Sequence, residues 1–150
     1  MKVQLPIALL LASAASILQA QPSSTAGTTG PVTSEYYYRI KWGSAEEFKR
    51  LYERNHAPIL REMQKQGFIT KMEVEEPFTH LAGGPRWDLR VTVTYKDAAS
   101  AIVVGGAFDT AFEAAKARLY ADKEAFQAEE ARRFSLLEEH WDMIVVPVGD

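Results

Sequence analysis

His56 is the residue of this sequence whose type and position best suit proton chemistry. It follows Phe48 by two turns of a predicted helix, so helical spacing places it on one face with Phe48 and Tyr52. An imidazole ring in a partly dry pocket titrates near neutrality and can then act as a general acid or base. The alternative is a structural histidine whose ring nitrogens bond a backbone carbonyl or a tyrosine hydroxyl.

Pro58 is expected to bend this helix beside His56. Proline has no amide hydrogen, so the carbonyl of Arg54 loses the partner that it would have in a regular helix. The resulting bend opens room next to the histidine. Tyr36 and Tyr38, on the first predicted strand, are the expected polar neighbours across that groove.

The other two histidines are weaker candidates for a site. His80 lies in a loop rich in glycine and proline, where it can close over a ligand, although an exposed loop histidine is the simpler interpretation. His140 follows Glu138 and Glu139, which we interpret as a solvated helix end. The spacing of these residues fits no metal-binding motif, and the glycine pairs lack the context of a phosphate-binding loop. We therefore predict no metal and no cofactor.

The elements that must position His56 follow from hydrophobic periodicity and from helix-capping residues. A capping-box pattern of Ser44 and Glu47 starts the first helix, and Gly67 ends it with a left-handed residue. The predicted elements are a strand over 36–42, a helix over 45–67, strands over 68–76 and 87–95, helices that begin after Asp97 and Asp122, and a strand over 141–148.

This order of elements is the split βαβ pattern of a ferredoxin-like fold. We predict an α+β domain with a four-stranded antiparallel sheet, helices on one face and an enlarged second helical arm over 98–140. The opposite face of the sheet then carries polar side chains such as Tyr37, Arg39 and Arg90. That face is either solvated or packed against the same face of a second subunit.

The start of the chain predicts export. Lys2 precedes an apolar run from Leu5 to Leu18 that closes on Ala20, which is typical of a secretory signal peptide and too short to span a bilayer. We assign residues 1–20 to the signal peptide, 21–34 to a flexible leader of small and polar residues, and 35–150 to a single domain. The expected location is the periplasm or the medium.

Composition excludes several classes of function. The sequence has no cysteine, which excludes disulfides, thiolate metal sites and a catalytic thiol. Without Lys2, the 17 basic residues become 16 against 20 acidic ones, a net charge of −4 with histidine neutral. An acidic surface repels nucleic acids and anionic lipids, so neither is an expected partner, and no membrane contact is expected after signal cleavage.

The first helix resembles the helix signature of EthD-like proteins in the dimeric α/β-barrel superfamily. The similarity rests on an ordered set of residues: Glu46-Glu47-Phe48, Tyr52 and His56-Ala57-Pro58-Ile59. The resemblance implies ferredoxin-like subunits that pair sheet to sheet as a homodimer, with a ligand pocket between sheet and helices. It makes the polar sheet face a dimer interior and His56 a pocket residue.

The leading hypothesis is an exported protein that binds a small apolar or aromatic organic molecule, with His56 as acid or base if turnover occurs without a cofactor. An alternative is a non-catalytic binding or assembly module that uses the arm 98–140, and a third is a haem protein with His56 or His80 as axial ligand. The expected pocket residues are Tyr36, Tyr38, Tyr52, Ile59 and His80.

Overall fold

The computed structural model of the chain describes residues 30–79, 83–84 and 86–146. The signal peptide over 1–20, most of the expected leader and His80 lie outside the described residues. The elements are β1 (Val32–Ile40), α1 (Ala45–Leu51), a π-helical turn (Tyr52–His56), α2 (Ala57–Lys65), β2 (Ile69–Glu75), β3 (Leu89–Tyr95), α3 (Ala98–Ile102), α4 (Ala107–Leu119), α5 (Lys123–Ser135) and β4 (Leu137–Val145).

The four strands form one antiparallel sheet in the order β2-β3-β1-β4, which confirms the predicted ferredoxin-like α+β fold. The buried strand residues described by the structure all lie on one face of this sheet, which we call the inner face. They join the buried residues of the helices in one hydrophobic core, whose members are Tyr38, Ile40, Phe48, Leu51, Tyr52, Ala57, Ile59, Leu60, Met63, Ile69, Leu89, Val91, Val93, Tyr95, Ala115 and Leu136.

Local capping signals explain three helix boundaries. The carboxylate of Asp97 accepts a hydrogen bond from the Ser100 amide at 2.7 Å, and that of Asp122 accepts one from the Ala125 amide at 2.9 Å. Gly67 has a φ of 78°, the left-handed conformation that was predicted to end the first helical region. The capping box at Ser44 does not form within the described residues, because the Glu47 carboxylate binds the Arg132 guanidinium instead.

The first and last strands of the chain differ from the prediction at their ends. β1 begins at Val32, so the last residues of the expected leader pair with β3 and β4. β4 begins at Leu137 rather than at Trp141, which makes Glu138 and Glu139 part of a strand and not a helix end. Both carboxylates bind Arg39, at 2.9 Å and 3.1 Å. The pairing of β1 with β4 is irregular at Arg39, so the consecutive residues Glu138 and Glu139 both reach it. This cross-strand pairing outweighs the helix propensity of glutamate.

The face of the sheet away from the core, here the outer face, carries an aromatic cluster. Tyr37 stacks on Trp141 with ring centroids 5.4 Å apart and meets Trp87 edge-on at 6.0 Å. Trp87 was expected on the inner face with Leu89. It lies before β3 begins, and the Asp88 carboxylate accepts the Ile40 amide at 2.7 Å, which interrupts the alternation of side chains.

The second helical arm packs back onto its own subunit. Phe108, Phe112 and Phe126 are partly buried against the core, whereas Phe134 is 51% exposed. Most of the apolar area that suggested an assembly role is therefore used inside the molecule. No helix in the described part of the chain has the length and apolar character needed to cross a membrane.

Candidate functional site

A cavity of about 160 Å³ lies between the inner face of the sheet and the helices, and His56 forms part of its wall. Its surface is mainly aromatic. The lining residues are Tyr36, Tyr38, Tyr52, His56, Leu60, Val91, Tyr95, Phe108 and Phe112.

The π-helical turn Tyr52–His56 places the histidine in this wall. The Ala57 amide donates to the Tyr52 carbonyl, one residue further back than in an α-helix. Pro58 provides no amide, and the hydroxyl of Tyr120 donates to the Arg54 carbonyl at 2.8 Å. The predicted break in the helix is thus present, and a side chain from the end of α4 satisfies the carbonyl that proline leaves without its helical donor.

Helix α5 holds the π turn from outside. The Asn55 side chain is 1% exposed, and its Nδ2 donates to the Glu129 carboxylate at 2.9 Å. The same carboxylate forms an ion pair with Arg54 at 3.1 Å. These contacts fix Arg54 and Asn55, two consecutive residues of the π turn. The position of the next residue, His56, is fixed as a result.

His56 sits among aromatic rings, with the Tyr52 centroid at 5.4 Å and the Phe112 centroid at 6.4 Å. Burial lowers the pKa of His56 to about 4, and the positive charge of Arg133 acts in the same direction. The ring is therefore neutral at pH 7. This corrects the expectation that it titrates near neutrality, because the surroundings are drier than a half-solvated pocket and hold a nearby cation.

Three tyrosines of the cavity, Tyr38, Tyr52 and Tyr95, keep their protons at neutral pH. Burial raises the pKa of Tyr38 to about 12, and it also raises the pKa of Tyr52 and of Tyr95. The hydroxyls of Tyr36 and Tyr95 bond each other at 2.8 Å. The cavity is thus lined by neutral groups, several of which offer an O–H donor.

A second cavity of about 230 Å³ shares three lining residues with the first, namely Tyr36, Tyr95 and Phe108. Its outer wall is the segment 102–104, whose apolar side chains are 52 to 94% exposed. The two cavities therefore adjoin at these three residues.

Arg133 is the buried charge nearest to this site and was not expected from the sequence. It is 1% exposed, and its guanidinium binds the Glu130 carboxylate through Nε at 2.9 Å and Nη2 at 2.7 Å. The guanidinium carbon lies 4.5 Å from the Phe134 ring centroid and 5.7 Å from that of Phe48. Its spacing of seven residues from Phe126 is the sequence signal that could have placed it on the inward face of α5.

The structure brings together four of the residues proposed from the sequence, Tyr36, Tyr38, Tyr52 and His56. Ile59 was also expected in the pocket, but it packs in the core, and Leu60 lines the cavity in its place. The π turn inserts one residue, which rotates the following helix by about 100° relative to a regular helix. His80, also proposed for the pocket, lies outside the described residues.

His140 stacks on Tyr38 with centroids 4.5 Å apart. Burial lowers the pKa of His140 below its usual value. Within the described ranges no three histidine or acidic side chains are grouped so that they could hold a metal ion.

Comparison with solved structures places this architecture among ferredoxin-like proteins. A dimeric ferredoxin-like protein from an uncultured marine organism aligns with a TM-score of 0.50 at 6% identity, over 81% of this chain and 90% of that one. An EthD family protein from Bacillus halodurans aligns with a TM-score of 0.46 at 16% identity, over 79% and 99%. A NIPSNAP family protein from Agrobacterium tumefaciens aligns with a TM-score of 0.44 at 18% identity, over 79% and 87%.

No family model matches the sequence, and no curated protein matches it. At these identities the similarity to the solved structures concerns the fold. The second of them carries the family name that the helix motif resembles. The order of the strands and the alignment with the protein from an uncultured marine organism show that the chain has the ferredoxin-like α+β fold that the resemblance implied.

Proposed function

We propose that the protein binds a small apolar or aromatic organic molecule in the cavity between sheet and helices. The observation that carries this proposal is the set of aromatic walls around a cavity of about 160 Å³ that also holds His56. An apolar cavity of roughly 150 Å³ holds a benzene molecule, so the volume suits a compound with one ring. Few polar groups in a mainly apolar pocket are typical of small-molecule sites.

If the protein turns its ligand over, His56 acts as a base. With a pKa of about 4 the ring is a neutral imidazole at pH 7, so it lacks the second ring proton that a general acid would give up, but its bare nitrogen can accept a proton. The reaction class that fits is proton abstraction from a carbon or oxygen acid without a cofactor.

Binding of ethylbenzene, measured by calorimetry, tests the proposal. We expect Phe112→Trp, which adds bulk to the cavity wall, to weaken binding at least tenfold. The matched control is Phe126→Trp, because Phe126 stacks on Tyr120 outside the cavity. Equal binding by the wild type and Phe112→Trp, or no binding by the wild type, would refute the proposal.

A homodimer built through the outer face of the sheet is also part of the proposal. It is supported by the aromatic cluster of Tyr37, Trp87 and Trp141 on that face. The protein of similar fold from an uncultured marine organism is described as dimeric.

Export to the periplasm or the medium is the remaining part of the proposal, and it rests on the apolar run from Leu5 to Leu18 after Lys2. Expression of the full chain in a bacterium, followed by fractionation and N-terminal sequencing, tests it. We expect the processed protein outside the cytoplasm, starting at Gln21. An unprocessed cytoplasmic protein would refute it.

A further inference from the structure

Two buried polar atoms beside His56 have no hydrogen-bond partner among the residues that the structure describes. They are the hydroxyl oxygen of Tyr52 and Nη1 of Arg133, and both residues are 1% exposed. A buried donor without an acceptor destabilises a folded protein by about 1 to 3 kcal/mol, so such atoms are rare and call for an explanation.

Tyr52 differs in this respect from three other tyrosines near the cavity. The hydroxyls of Tyr36 and Tyr95 bond each other, and that of Tyr120 bonds the Arg54 carbonyl. Tyr52 also lines the cavity, whereas Tyr120 does not. Its hydroxyl is thus a buried donor, without a partner in the described part of the chain, on a residue that lines a cavity with room for a ligand.

The position of Tyr52 is fixed by the elements that carry it. It is the first residue of the π-helical turn, and its ring lies 5.4 Å from His56 and 6.1 Å from Tyr38. Burial raises the pKa of the Tyr52 hydroxyl, so it keeps its proton and can donate. Rigid placement of a donor in a dry site is what selective recognition of a polar group requires.

Arg133 lies on the same side of the core and places a cation near Tyr52. Burial lowers the pKa of His56, and the positive charge of Arg133 adds to that effect. The same charge opposes the rise that burial causes in the pKa values of Tyr38 and Tyr52. Two of its nitrogens are already taken by Glu130, which balances its charge. The surroundings thus favour a polarised but uncharged acceptor over an anion, because an anion would have to give up its hydration beside Glu130.

We infer that the Tyr52 hydroxyl holds a carbonyl oxygen of the ligand, and that the ligand is a neutral ring compound bearing a ketone, quinone or ester group. This inference rests on the proposed binding function and specifies its substrate class. The ring lies against the aromatic walls, and the carbonyl points toward the π turn. His56 lies in the same wall, and its neutral ring can accept a proton from a carbon next to that carbonyl.

Acetophenone and ethylbenzene test the inference, because the two probes differ only in that a C=O group of acetophenone replaces a CH2 group of ethylbenzene. We expect the wild type to bind acetophenone about tenfold tighter, the effect of about one hydrogen bond in a dry site. The carbonyl stretching frequency of bound acetophenone, read by infrared difference spectroscopy, should be shifted to lower values than in hexane. In Tyr52→Phe we expect both the tenfold preference and this shift to be lost.

Tyr120→Phe is the matched control, since it makes the same chemical change outside the cavity and should retain the preference and the shift. Equal affinity for both probes with an unshifted carbonyl would overturn the inference and leave the proposed function intact. Tighter binding of benzoate than of acetophenone would also overturn it. Failure of both neutral probes to bind would overturn the proposed function together with the inference.

Discussion

At the scale of single residues, burial away from water determines the chemistry of the site more than charge does. His56 is an uncharged ring among aromatic side chains, and the charge of Arg133 is balanced by Glu130. A buried imidazole of this kind resists protonation because its charged form would lose hydration without gaining a partner. The stability of the protein should therefore report on His56 directly.

We predict that His56 makes the protein less stable as the pH falls. The ring has a pKa of 6.5 in the unfolded chain and about 4 in the folded one. Above pH 6.5 neither state is protonated and His56 has no effect; between pH 6.5 and 4 the unfolded chain binds a proton that the folded chain does not. The free energy of unfolding should thus fall by about 2 to 3 kcal/mol between pH 7 and pH 4.5 on this account alone.

Denaturant unfolding of the wild type and of His56→Gln at both pH values measures this loss. We expect His56→Gln to lose less stability than the wild type over the same interval. His140→Gln is the control, since His140 is more exposed than His56 and should account for a smaller part. Parallel losses in the wild type and His56→Gln would show that the histidine is not buried as described.

The two tyrosine to phenylalanine changes should have opposite effects on stability. Tyr52→Phe removes a buried hydroxyl without a partner among the described residues, so the free energy of unfolding should stay unchanged or rise by up to about 1 kcal/mol. Tyr120→Phe removes the donor to the Arg54 carbonyl and should lower it by about 1 kcal/mol. Equal destabilisation in urea unfolding would mean that the Tyr52 hydroxyl has a partner in solution.

At the scale of elements, the π-helical turn decides which residues face the cavity. The sequence indicated the break at Pro58 and the inward direction of His56, and both are present. It could not indicate that the break takes the form of an inserted residue, because propensity does not distinguish a kink from a π turn. This insertion is why Leu60 rather than Ile59 reaches the cavity.

Contacts distant in sequence account for the other differences. The strand at Glu138 and Glu139 depends on their pairing with Arg39 in β1, and two adjacent glutamates favour a helix when read alone. The burial of Arg133 depends on Glu130 and on the rings of Phe48 and Phe134, which only the folded chain brings together. The alternating pattern of β3 from Leu89 to Tyr95 needed no such contact and was predicted correctly.

We predict that Pro58 and Tyr120 are energetically coupled through the Arg54 carbonyl. In the wild type this carbonyl accepts from the Tyr120 hydroxyl. In Pro58→Ala the new amide at position 58 can donate to the same oxygen, so Tyr120→Phe should then lower stability by only a few tenths of a kcal/mol instead of about 1. A double-mutant cycle in urea measures the difference, and additive effects would contradict the proposed exchange of donors.

At the scale of the whole molecule, the outer face of the sheet is the surface that the fold leaves for a partner. Its strand side chains in the described structure are partly or fully exposed, and aromatic rings lie among ion pairs such as Arg90 with Glu75 at 2.7 Å. Aromatic residues near the centre of a surface are typical of interfaces. A two-fold axis through this face would bring each cluster against its own copy.

Trp141→Arg tests this arrangement. If the outer faces meet, the change places two like charges near the two-fold axis in a desolvated contact, and the dimer should dissociate. Light scattering coupled to chromatography of the signal-free protein should give twice the subunit mass for the wild type and the subunit mass for Trp141→Arg. Val104→Arg, on a residue that is 94% exposed between α3 and α4, should remain dimeric. A monomeric wild type would make the outer face a solvated surface. A dimeric Trp141→Arg variant would place the subunit contact elsewhere. In either case the cavity would have to bind its ligand without a dimer formed sheet to sheet.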